Sequence, residues 1–155
     1  MDNVSNYAPQ IVTLARTILA RVSAGEEGMT LEWSGGDLKP RNAYVVGGVV
    51  STLVDNFTEG YSGMLLTLTK WLATNHGLMH YAPIGVWAHD GRIYYDLVTV
   101  LPIDSGFEHV AGIARARGEL AFGEFDANGD YLITHDVHDS LYIANLPATA
   151  PGVAR

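Results

Sequence analysis

Apolar residues recur at helical spacing from Pro9 to Ala24, where Ile11, Leu14, Ala15, Ile18, Leu19 and Val22 share one stripe. Pro9 suits a first helical turn and Gly25 a stop, so the pattern predicts a helix over 9–24, with Arg16 and Arg21 on its polar side. A second stripe joins Tyr61, Met64, Leu65, Leu68 and Leu72, with Trp71 beside it. It follows Asn56-Phe57-Thr58-Glu59, a capping-box arrangement, and ends at Asn75 and Gly77, which predicts a long central helix. Gly28 to Trp33 alternates weakly, as a short strand would, and the Gly-, Asp- and Pro-containing stretch after it reads as a loop. Ala43 to Val54 is an apolar run whose period fits either a strand or a buried helix, with Gly47-Gly48 marking a bend or a close backbone approach.

From Pro83 to His135 the pattern becomes hairpin, helix, hairpin. Ile84 to His89 and Arg92 to Leu101 alternate on either side of Asp90-Gly91, a type I′ turn signal, and Pro102 ends the second strand. Ser105-Gly106-Phe107-Glu108 forms a second capping box, with Asp104 beside it. Phe107, Val110, Ala111 and Ala114 then make a buried stripe that closes on Arg115, Arg117 and Gly118. Glu119 to Phe125 and Tyr131 to Thr134 flank a second hairpin loop, Asp126 to Asp130. These elements predict an α+β fold: two β-hairpins in one four-stranded, largely antiparallel sheet, a crossing helix between them, and two further helices packed on the sheet. No repeat or long linker divides the chain, so residues 1–146 form a single domain, with 147–155 expected as a mobile tail.

A chain of 155 residues with 48% hydrophobic and 17% charged content is ordinary for one globular domain. The net charge of −8 disfavours direct nucleic-acid binding, which needs clustered Lys and Arg, and would attract a basic protein partner. The absence of cysteine removes disulfides, thiolate nucleophiles and zinc-thiolate sites. The first residues lack a signal-peptide pattern and the longest apolar run is too short for a bilayer, so a soluble, cytoplasmic protein with no membrane association is expected.

Charge position is more informative than charge total. Glu119 to Ala154 holds six acids (Glu119, Glu124, Asp126, Asp130, Asp136 and Asp139) and no Lys or Arg. Such an end is either a solubilising surface or a docking surface for a basic protein, with Glu119, Glu124, Asp126 and Asp130 as the interaction residues. His135, Asp136, His138 and Asp139 place two imidazoles and two carboxylates within five residues, a set able to ligate a divalent metal, against the plainer reading of a solvated loop. No other cofactor is expected. Asp126, Asn128 and Asp130 resemble the start of a calcium loop, but Tyr131 stands where that loop needs Gly and Val137 where it needs Glu, so a turn is expected. His76 and His80 are four apart, with Gly77 between them and no HExxH glutamate. Gly47-Gly48 lacks the spacing of a phosphate loop, and no serine sits in a nucleophile elbow.

The YVVGG run, the GVW–turn–RIYYD pattern and the helix ending ARARGELAF before a short hairpin resemble small accessory proteins encoded by actinobacterial phages. The similarity spans about Ala43 to Thr134 and includes the low lysine content, 2 Lys against 7 Arg. It implies an accessory role in an infected host cell's cytoplasm and carries no catalytic residue. Three functions follow: a non-enzymatic acidic interaction protein, a small metal-dependent enzyme using the 135–139 cluster, or an assembly component that oligomerises through apolar hairpin faces.

Overall fold

Arg92 to Pro102 is one apolar run in the sequence, yet it serves two sheets. The computed structural model describes residues 3–137 and the backbone of 143–144. Its helices are α1 (Pro9–Ser23), α2 (Tyr61–Asn75) and α3 (Phe107–Ala116). Its strands are β1 (Gly28–Leu31), β2 (Ala43–Val46), β3 (Leu53–Asn56), β4 (Ile84–His89), β5 (Arg92–Leu97), β6 (Thr99–Pro102), β7 (Ala121–Phe125), β8 (Tyr131–Asp136) and β9 (Ile143–Ala144). The fold is α+β. Four strands form one sheet in the order β1-β4-β5-β3 and five form another in the order β6-β2-β7-β8-β9, with every neighbouring pair antiparallel.

The two hairpins therefore lie in different sheets, and the single four-stranded sheet expected from the sequence is corrected to two. The reason is local. The first hairpin runs in register from His89↔Arg92 to Ile84↔Leu97, and there β4 ends at Pro83, which has no N–H to extend the ladder. Val98 donates once to the Pro83 carbonyl (3.0 Å), and the chain beyond it pairs with β2 instead, from Val46↔Thr99 to Ala43↔Pro102. The chain crosses between the sheets a second time between Val46 and Leu53, through Gly47-Gly48. Ala43–Val46 is a strand, not a helix, because both its faces are covered and all four residues are buried.

Local signals fixed most boundaries. Asp90 (φ 52°) and Gly91 (φ 76°) both adopt the left-handed conformation that a type I′ turn requires. α3 ends in a Schellman motif, the Gly118 and Glu119 amides donating to the Arg115 and Ala114 carbonyls. The two capping boxes behave differently from expectation. Asn56 caps a short 3-10 turn over Phe57–Glu59 by accepting from the Thr58 amide, and Ser105 ends another over Ile103–Ser105. α2 and α3 begin only after Gly60 and Gly106, which carry no capping side chain.

Strand alternation sets the layers. α1 and α2 bury Ile18, Leu19, Leu68 and Leu72 against Ile84, Val86, Ile93, Tyr95 and Leu97, one face of the four-stranded sheet. α3 buries Val110, Ala111 and Ala114 against Tyr44, Val46 and Phe122, one face of the five-stranded sheet. The residues between these, Gly85, Trp87, Tyr94 and Asp96 on the first sheet and Val45 and Phe125 on the second, line a shared cavity. The two sheets thus face each other, with the helices outermost.

Candidate functional site

The cavity between the sheets has a volume of about 370 Å³, within the range that holds a small molecule. One wall is the helix-distal face of the four-stranded sheet. There Trp87 sits directly opposite Tyr94, and Gly28 opposite Trp87. A Cβ at Gly28 would lie 2.8 Å from the Trp87 ring, so the missing side chain lets the indole lie across β1. The other wall includes Val45 and Phe125, and Lys39, Asp130 and Tyr131 also line the space. Arg21 lines it with its charge already matched: its guanidinium binds Glu26 (2.6 Å) and Asp37 (2.8 Å).

Asp96 forms part of the inner wall and is 2% exposed. Its Oδ2 accepts from the Gly48 amide (3.0 Å) and from the Thr52 hydroxyl (3.3 Å), while Oδ1 has no partner. Burial raises its pKa to about 7, against the lowering effect of those donors, of the Leu97 amide and of the Arg117 charge. Glu119, 3% exposed, approaches Gly48 from the other side: a Cβ at Gly48 would lie 2.6 Å from Glu119 Oε1. Its Oε2 is also unpartnered, and burial, with the nearby Asp96 charge, raises its pKa to about 7. Arg117 completes the cluster without bonding either carboxyl. It donates to the Gly47 carbonyl (3.2 Å) and the Thr99 hydroxyl (2.9 Å), tying α3 to both inter-sheet crossings. Two acids and one guanidinium thus surround the point where the chain changes sheets.

A third acid, Asp55, is buried on the helix-covered face of the four-stranded sheet, in β3. Burial, then the charge of Glu59, raises its pKa to about 7, and Oδ2 has no partner. Tyr95 Oη, beside it in the core, is likewise buried and unpartnered.

The residues singled out from sequence are dispersed. His135 is buried among Tyr44, Phe107 and Phe122, and its Nε2 lies 2.8 Å from Glu124 Oε1. A carboxylate accepts, so Nε2–H donates and the imidazole is a core group held by one acid. Asp136 follows it on β8 and projects to the opposite face; His138 and Asp139 lie outside the described residues. Among the described residues no three His, Cys, Asp or Glu side chains gather as a metal site. Of the four acids expected at the interaction surface, Glu119 is in the interior and Glu124 is half-buried on His135. Asp126 and Asp130 occupy the hairpin tip, where Asp126 Oδ1 accepts from the Asn128 and Asp130 amides (2.8 and 3.0 Å). That carboxylate organises the hairpin turn expected there. Gly47-Gly48 is a close approach, and the Gly48 amide faces a carboxylate, the opposite of a phosphate cradle.

Sequence reasoning missed Asp96, Arg117 as a linker, and the burial of Glu119. One signal was present: Asp96 lies in Tyr94-Tyr95-Asp96-Leu97-Val98, where an acid flanked by apolar residues on both sides has no solvent-facing strand face to occupy. The chain matches no protein-family model, no curated protein and no solved structure. No helix among the described residues is long and apolar enough to cross a membrane.

Proposed function

We propose that the protein is a non-enzymatic binding protein whose site is the cavity between the two sheets. One observation carries the reading: the cavity combines sufficient volume, an aromatic and apolar lining and a single deeply buried acid, Asp96. The hydroxyl that bonds that acid, Thr52 Oγ1 at 3.3 Å, is not among the groups that line the cavity. Small amphipathic fragments screened by heteronuclear NMR are expected to shift the amides of Gly28, Gly85 and Val98 and the Trp87 indole N–H. Val45→Phe, which adds bulk to the opposite wall, is expected to weaken the best fragment by about tenfold. Shifts confined to residues outside the cavity would overturn the reading. In a phage-infected cell such a protein would be an accessory factor, in keeping with the resemblance drawn from the sequence.

A second reading keeps the acidic docking surface but narrows it to the β7–β8 hairpin tip. There Asp126 and Asp130 stand beside Tyr131 (42% exposed) and Leu132 (56% exposed), so charge and apolar surface adjoin. A basic model peptide is expected to bind with an affinity that falls with salt, and Asp126→Lys with Asp130→Lys is expected to reduce it by at least about tenfold. Binding unchanged by that reversal would end this reading.

A further inference from the structure

We propose that the cavity takes an amine: a ligand whose ammonium group pairs with the Asp96 carboxyl and whose apolar body lies against Trp87 and Tyr94. The inference rests on the cavity being the binding site and names the chemistry it recognises. Its basis is a charge count. Around Gly48 stand two carboxyls, Asp96 and Glu119, and one guanidinium, Arg117, whose hydrogen bonds go to the Val46 and Gly47 carbonyls and the Thr99 hydroxyl. With both acids ionised the cluster is short of one positive charge. It also presents two buried acceptors with no donor, Asp96 Oδ1 and Glu119 Oε2. A buried, unpaired acceptor is costly, more so when charged, so a donor that brings positive charge is strongly favoured there. A proton meets that demand in acid; an ammonium meets it at neutral pH and above.

Of these three groups only Asp96 lines the cavity, and the other charged residues along it do not correct the imbalance. Arg21 is consumed by Glu26 and Asp37, while Lys39 and Asp130 contribute one charge of each sign. Asp96 belongs to the cavity wall by strand alternation as well as by position, lying on the same face of β5 as Tyr94. Its register partner is Gly85, and the space that a side chain there would take is filled by Val98, whose Cγ1 lies 3.0 Å from the Cβ position. Val98 is 1% exposed and covers the carboxyl, so pairing with an ammonium requires its side chain to move aside. The faces of Trp87 and Tyr94 attract a cation in transit and stack on a planar body.

The probes are phenethylamine and its neutral near-isostere phenethyl alcohol, titrated into the full chain by NMR at about pH 5.5 and about pH 8.5, either side of the acid pair's range. The amine is expected to bind about tenfold more tightly at the higher pH, where it is still protonated and no longer competes with a bound proton. The alcohol is expected to bind more weakly there and without pH dependence. Asp96→Asn is expected to remove the amine's advantage and leave alcohol binding in place. If that variant does not fold, the pH dependence of the two probes on the unaltered protein decides. Equal binding of amine and alcohol at both pH values, with shifts in the cavity, would overturn the ligand class and leave the cavity reading standing. Shifts elsewhere, or no binding by either probe, would overturn both.

Discussion

Gly48→Ala is expected to lower the unfolding free energy by about 3 kcal/mol in urea denaturation. Two costs combine. Gly48 has φ 78°, where an L-residue pays roughly 1 kcal/mol or more for its Cβ. The new methyl also meets Glu119, not at one atom but at three: Oε1 at 2.6 Å and both Cδ and Cγ at 3.1 Å. An exposed glutamate would swing away, but Glu119 is buried and has no open space to enter. A double-mutant cycle separates the terms. In a Glu119→Ala background the same change should cost only about 1 kcal/mol, the backbone part. A full cost that persists without Glu119 would show that the collision is not the cause.

Stability should fall as pH rises from about 4 to about 8, the reverse of the usual behaviour of surface carboxylates. Asp55, Asp96 and Glu119 all have folded pKa values raised to about 7, so the folded chain holds protons that the unfolded chain releases. Their contribution is fully present below the unfolded carboxyl range, is lost through the interval up to about pH 7, and is flat above it. Each such acid accounts for on the order of 3 kcal/mol across that interval. Asp96→Asn should flatten part of the slope and raise the melting temperature on the alkaline side, since the amide retains an acceptor for Gly48 and adds a donor beside Glu119. A melting temperature that climbs between about pH 4 and about pH 8 in the unaltered protein would show that these acids are not buried as described.

Elements governed by neighbours in the chain were legible in the sequence. The Ile11–Val22 stripe, the Asp90-Gly91 turn and the Arg117-Gly118 helix end each depend on a few adjacent residues, and each formed where the pattern placed it. The division into two sheets was not legible, because it depends on β4 running out of partners at Ile84, a fact about pairing and not about the Arg92–Leu101 pattern, which alternates without a break. The acids fail for a similar reason. Glu119 and Glu124 look equivalent to Asp126 and Asp130 in a list of charges, but the Schellman turn carries Glu119 inward and strand alternation sets Glu124 against His135. Burial of a charge is a tertiary property, and only Asp96, enclosed by apolar residues on both sides, announced it locally.

The crossing at Val98 has a further consequence for how the chain matures. Strand β2 is flanked by β6 and β7, both of which follow it in the chain by more than fifty residues. During synthesis the segment Tyr44-Val45-Val46 emerges long before anything can pair with it, while the four-stranded sheet can already close through β1, β3, β4 and β5. Until Pro102 has left the ribosome, an apolar strand with two open edges hangs from a nearly finished half-molecule, and one edge stays open until Phe125 follows. A ribosome-stalled or prematurely terminated product ending near Leu97 is therefore an aggregation hazard. Timely delivery of β6 and β7 matters as much to this protein's fate in the cell as the strength of either sheet.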